Sequence, residues 1–192
     1  MFDNFSGRVT DSLVHNQITK IEDRDIYCYG VQQGLVAVLN FATTLLIGCL
    51  YGMFRESIIY MICYIPLRHY AGGFHAKNPA RCYVFSIFML FSILSAMKWV
   101  GFSSQICIII TLSMLVLIYI MAPVANRNKP LDSIEYGIYR NRARIITGIE
   151  TAIVSALIIF NKLYFANCIM WCLFLTVIMM SMGLSKDRHV NQ

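Results

Sequence analysis

The chain has 192 residues, 58% of them hydrophobic and 14% charged, with a mean hydropathy of +0.61. Soluble domains carry about 45–50% apolar and about 25% charged residues, so an ordinary soluble domain is excluded. The net charge of +6 would suggest nucleic acid in a soluble protein, but in so apolar a chain a membrane accounts for it, and no nucleic-acid partner is expected.

At the N-terminus, Phe2, Phe5, Val9, Leu13, Ile18 and Ile21 recur every three to five residues, the spacing of a helix lying in a membrane interface. Residues 1–34 lack a basic start, an apolar stretch and a small-residue cleavage site, so no cleavable signal peptide is expected. Apolar runs follow at about 35–54, 57–67, 83–100, 105–122, 145–160 and 163–184. Five of them approach the ~20 residues that cross a hydrocarbon core of about 30 Å. The 57–67 run would reach only about 16 Å as a helix and spans only if it borrows Met53 to Glu56.

Charge decides in favour of six crossings. With six, Arg55, Lys98 and Lys162 fall on one side, and the other 13 of the 16 Lys and Arg fall on the side of the termini and of the connections at 68–81 and 123–144. The positive-inside rule places both termini and those connections in the cytoplasm. The expected fold is all-α, a single polytopic membrane domain over 1–192. It comprises an interfacial region 1–34, a transmembrane bundle of about six helices over 35–184 and a cytoplasmic tail 185–192. Gly48 and Gly52 form a Gly-x-x-x-Gly on the first span, a spacing that permits close helix contact and a dimer seam.

The seven cysteines, Cys28, Cys49, Cys63, Cys82, Cys107, Cys168 and Cys172, are odd in number and form no repeating Cys-x-x-Cys pair. Neither a disulfide framework nor a zinc ribbon is indicated, and most read as small apolar packing residues. Cys82 differs, because it closes the polar stretch from Arg68 through His69, Gly72, Gly73, His75, Lys77, Asn78, Pro79 and Arg81. Asn78 followed by Pro79 reads as an N-cap and first helical position, which puts Cys82 in the first turn of the third span. A thiol there feels the positive helix end and the nearby basic side chains, and each favours thiolate over thiol. In a continuous helix His75 and Cys82 would stand about 10.5 Å apart along the axis, too far for proton transfer over roughly 3 Å. Gly72-Gly73 and Pro79 should therefore interrupt the helix and let His75 fold back over the helix start, giving a Cys–His dyad.

Residues Arg68 to Cys82, with Ala71-Gly72-Gly73-Phe74-His75-Ala76 and the His-x6-Cys interval, resemble the signature of the accessory gene regulator B (AgrB) family. Size, hydropathy, the amphipathic N-terminus and the segment from Ala122-Pro123 to Asn128-Lys129-Pro130-Leu131 are similar as well. The resemblance implies a membrane cysteine endopeptidase that cuts an AgrD-like propeptide on the cytoplasmic face, with His75 and Cys82 catalytic. Cys82 would attack the carbonyl at the end of the future macrocycle, and the C-terminal tail would leave with a proton from His75. A thiol or hydroxyl within the precursor would then displace Cys82 to give a thiolactone or lactone. No cofactor is implied; the family suggests a homodimer.

Other residues have duller readings beside the functional ones. Arg68, Lys77 and Arg81 could receive acidic parts of the precursor or simply satisfy topology. His69 reads as a hydrogen-bonding loop histidine, since His69, His75 and Cys82 lack a further metal ligand, and no metal is expected. Asp132 and Glu135 are candidates to orient His75. Arg140, Arg142 and Arg144, ahead of the fifth span, read as headgroup anchors. Glu150, inside that span, is the residue that best supports the alternative function, a small peptide exporter or transporter without proteolytic activity. A non-catalytic scaffold is the third reading. Loss of cutting on replacing Cys82 separates the first from the other two.

Overall fold

The computed structural model describes residues 2–16, 18–74, 79–124 and 132–190. His75, Lys77 and Asn78 lie outside the described residues, as does the stretch 125–131 that contributes to the family resemblance. The described chain is helical: α1 (Phe2–His15), a 3-10 turn (Ile21–Asp23), α2 (Arg24–Leu50), α3 (Phe54–Ala71), α4 (Pro79–Trp99), α5 (Ser104–Met121), α6 (Ser133–Ile159) and α7 (Leu163–Val190). The protein is an all-α membrane protein. On length and composition α2, α4, α5 and α7 are apolar enough to cross a bilayer. The other two long helices, α3 and α6, carry Arg55, Glu56 and Arg68, and Arg140, Arg142, Arg144 and Glu150, which lower their hydropathy.

The doubtful 57–67 run becomes an 18-residue helix of about 27 Å by borrowing residues at both ends. Two other boundaries differ from expectation. The first span begins near Arg24 rather than 35, and α6 begins at Ser133 rather than 145, so Arg140, Arg142 and Arg144 are part of the helix instead of leading into it. Hydrophobic runs mark where helices cross lipid, whereas caps mark where they begin. Asp132 accepts from Ser133 N–H at 2.6 Å, and Glu135 reaches back to Asp132 N–H at 3.4 Å, a capping box twelve residues ahead of the apolar run.

The helices alternate in direction. At one end the Tyr164 hydroxyl donates to Glu56 (2.7 Å), Asn167 pairs with the backbone of Phe102 (3.0 and 3.1 Å), and Trp171 Nε1 donates to Val100 O (3.1 Å). The other end carries the α3–α4 and α5–α6 connections. There Val124 N–H donates to Ala71 O (2.9 Å), and Arg144 donates to Tyr119 O (2.9 Å). Helix α7 packs against α3, α4, α5 and α6 and forms the centre of the bundle, with Cys172, Leu173, Thr176 and Met180 fully buried. Buried threonines are accommodated because Thr111, Thr147 and Thr176 each donate to the carbonyl four residues back in their own helix.

At the opposite end from the α3–α4 connection, Gly48 makes the close helix contact that the Gly-x-x-x-Gly spacing permits, and Gly52 serves the turn between α2 and α3. Gly52 lies beyond α2 with φ +70°, and a Cβ on Gly48 would stand 2.1 Å from the Ser57 hydroxyl of α3. The close approach at Gly48 is used within the chain, between α2 and the start of α3. Along the other flank α1 lies on α2, with Ser6 and Thr10 buried and an ion pair between Asp11 and Arg24 at 2.7 Å.

Candidate functional site

Helix α3 ends at Ala71 because Gly72 turns the chain with φ +74°, and Gly73 follows with φ +118°, backbone that a side chain would strain. Helix α4 starts at Pro79, whose missing N–H costs nothing at a first helical position. The expected helix break is thus present between Ala71 and Pro79, and Cys82 stands in the first turn of α4.

The three residues ahead of His75 are held from several sides. Gly72 bridges to Val124, and Gly73 N–H donates to Val124 O at 3.4 Å. Phe74 N–H donates to Met179 O of α7 at 2.9 Å, and a Cβ on Gly183 of α7 would stand 2.8 Å from the Gly73 carbonyl carbon. The Phe74 ring packs on Phe85 with centroids 5.2 Å apart, which sets the segment against α4 three residues beyond Cys82. Beside it lies a mostly apolar groove of about 440 Å³, walled by Phe74, Val177, Ile178 and Met182.

Arg68 ties this arrangement together. Its guanidinium donates to the carbonyls of Gly72 and Phe74, the two that flank Gly73. A planar fork suits two acceptors better than a lysine ammonium would. Arg68 is half-buried, and its bonds run to the chain itself, so it holds the segment before His75. Arg81, by contrast, is exposed one residue before Cys82.

Cys82 is half-buried, and its carbonyl accepts from Ser86 at 2.9 Å. Next to it, the Tyr83 hydroxyl shares a 2.6 Å hydrogen bond with Thr43 and fastens the start of α4 to α2. Cys63, Cys107, Cys168 and Cys172 are core residues. Cys28 faces Ser6 of α1, and Cys49 lies at the opposite end of α2. Cys82 alone flanks the α3–α4 connection.

Asp132 and Glu135 are engaged in the capping box of α6, and α4 packs mainly on α2 and α7. His69 is in the last turn of α3 instead of a loop, among the rings of Tyr70 and Tyr139 at 5.0 and 5.8 Å. Arg142 lies 6.0 Å from the Tyr70 ring, and Arg144 lies over Tyr119 at 5.2 Å. Among the described residues no three His, Cys, Asp or Glu side chains are grouped to hold a metal. Nothing in the sequence pointed to Phe85, Met179, Val124 or Gly183, because they act through tertiary contact with a seven-residue connection.

The profile of the accessory gene regulator B family matches residues 6–180. The chain belongs to the accessory gene regulator B family. It is 24% identical over 153 residues to putative AgrB-like protein 1 of Clostridium perfringens (strain 13 / Type A), covering 77% of this chain and 81% of that protein. Accessory gene regulator protein B of Staphylococcus saprophyticus is 32% identical over 99 residues, 50% of this chain and 52% of that protein. A second Clostridium perfringens protein (strain SM101 / Type A), putative AgrB-like protein, is 23% identical over 140 residues, 69% of this chain and 65% of that protein. No solved structure matches the chain. Membership of the AgrB family makes this a membrane protein of accessory gene regulator quorum sensing, with a role alongside an AgrD-type partner.

Proposed function

We propose that the protein is a membrane-embedded cysteine endopeptidase that removes the C-terminal tail of an AgrD-type propeptide through an acyl-enzyme on Cys82. The observation that carries this reading is the position of Cys82, half-buried in the first turn of α4 beside a clamped segment that leads into His75. In this reading the Cys82 thiol supplies the nucleophile and the His75 imidazole the base. His75 takes the thiol proton and returns it to the leaving amine, and the new thioester joins the peptide to Cys82. A thiol or hydroxyl inside the peptide then attacks that thioester, freeing Cys82 and closing a thiolactone or lactone. Arg81 and Lys77 are offered as contacts for acidic parts of the propeptide, while Arg68 acts on the segment.

The charge distribution supports a cytoplasmic location for the termini, for the α3–α4 connection and for the α5–α6 connection, with phospholipid around α2, α4 and α5. The test is co-expression with the candidate propeptide, comparing wild type with Cys82→Ala, His75→Ala and, as control, Cys28→Ala. Tail release that survives in Cys28→Ala and disappears in the other two supports the reading. Uncut peptide appearing outside the cell with both Cys82 forms would instead identify an exporter.

A further inference from the structure

Two acidic side chains are buried among the described residues, Glu56 and Glu150. Glu56 accepts a hydrogen bond from Tyr164 near one end of the bundle. Glu150 is in the middle of the bundle on α6, 4% exposed, and its Oε2 is shielded from solvent with no hydrogen-bond partner. On the same helix the Thr151 hydroxyl is also shielded and unpartnered, and Thr147 has turned its hydroxyl to Ala143 O.

Helix α6 packs on α3, α5 and α7, and none of them brings a positive charge to this depth. Towards Glu150, α3 contributes Cys63, and α7 contributes Cys172 with Cys168 behind it. The charged groups and histidine of α3 are Arg55, Glu56, Arg68 and His69, all in its terminal turns, whereas Cys63 is near its centre. Helix α5 has no charged residue and no histidine along its length. Those of α7 are Lys186, Asp187, Arg188 and His189, in its last turns. The nearest cation on α6 itself is Arg144, six residues and about 9 Å away along the axis, and it donates to Tyr119 O.

A carboxylate in such a place would be a charge shielded from solvent with no counter-ion at its depth, an arrangement that protein and bilayer interiors penalise heavily. We propose that Glu150 is a proton-binding site of the bundle interior, resident as a neutral carboxylic acid between α3, α6 and α7. Loss of that proton requires water or a cation to enter between the three helices, so their packing is linked to occupancy of the site. Glu150 is outside the machinery around Cys82, and the inference stands whether or not the protein cuts a propeptide.

Infrared spectroscopy of the protein in lipid at pH 7 tests this, because a protonated carboxyl has a carbonyl stretch separate from carboxylate bands. The expected result is such a band in the wild type, shifted in D₂O and lost in Glu150→Gln. No band in the wild type, or a band unchanged in the variant, overturns the proposal. The chain has four glutamates, Glu22, Glu56, Glu135 and Glu150. If Glu150→Gln does not fold, the protein with the first three replaced by Gln and with ¹³C-carboxyl glutamate gives the same answer: a labelled acid band supports the site, and a labelled carboxylate alone overturns it.

Discussion

Substituting Gly183 by alanine displaces the segment before His75 without changing the identity of any charged or nucleophilic residue. The new Cβ would stand 2.8 Å from the Gly73 carbonyl carbon, 2.9 Å from its Cα and 3.0 Å from Phe74 N, all backbone atoms. Carbon atoms in contact sit about 3.5–4.0 Å apart, so the segment must withdraw by roughly 0.7–1.2 Å. The Phe74–Met179 hydrogen bond at 2.9 Å and the Arg68 bonds oppose that shift, and His75 moves with it. Misplacement of a reacting group by about 1 Å costs up to roughly 100-fold in rate, so propeptide cutting should fall by about 10–100-fold. The fold should survive: overpacking costs about 1–3 kcal/mol, and alanine recovers about 1 kcal/mol over glycine inside a helix. The assay is a mass-spectrometric time course of tail release in reconstituted membranes, with a thermal unfolding curve for each protein. Wild-type cutting by Gly183→Ala with unchanged unfolding would refute the view that this segment positions the reaction.

Arg68→Gln should lower the turnover number for cutting by roughly 10-fold with little change in KM, because it frees the carbonyls of Gly72 and Phe74; a raised KM with unchanged turnover would mark Arg68 as a substrate contact instead. Asp132→Ala should cost about 1 kcal/mol of stability through the lost cap of α6 and leave the pH profile of cutting unaltered. A collapse of cutting in a fully folded Asp132→Ala protein would make it a partner of His75. In a purified system, exchange of a stable amide for a thioester should stall, with product accumulating only when the released tail is degraded or removed. Complete conversion with the tail retained would contradict that energetic ordering.

The architecture was legible where it depends on the amount of apolar surface. Five long runs and one short one correspond to six long helices, and Pro79, Gly72 and Gly73 marked the break between α3 and α4. Helix starts were less legible, since α2 and α6 extend well beyond the apolar runs, α6 from a capping box of Asp132 and Glu135. Gly48 and Gly52 show the limit of spacing alone: the interval points to close helix contact, but it does not name the partner, which at Gly48 is Ser57 of α3 in the same chain. For the site, the chain positions of Arg68 and Cys82 could be read directly, but the bonds of Arg68 to the Gly72 and Phe74 carbonyls could not. A guanidinium offers the same donors to a substrate carboxylate and to backbone carbonyls, and the choice depends on where Gly72 and Phe74 lie in space.

The central claim is that Cys82 carries the peptide during cutting. Intact-mass spectrometry of the protein in lipid, with its propeptide co-expressed and compared with Cys82→Ala, tests it most directly. The account predicts a released tail and a peptide adduct mapped to Cys82 in the wild type, both absent from the variant. Tail release by Cys82→Ala, or an adduct on another of the seven cysteines, would contradict it.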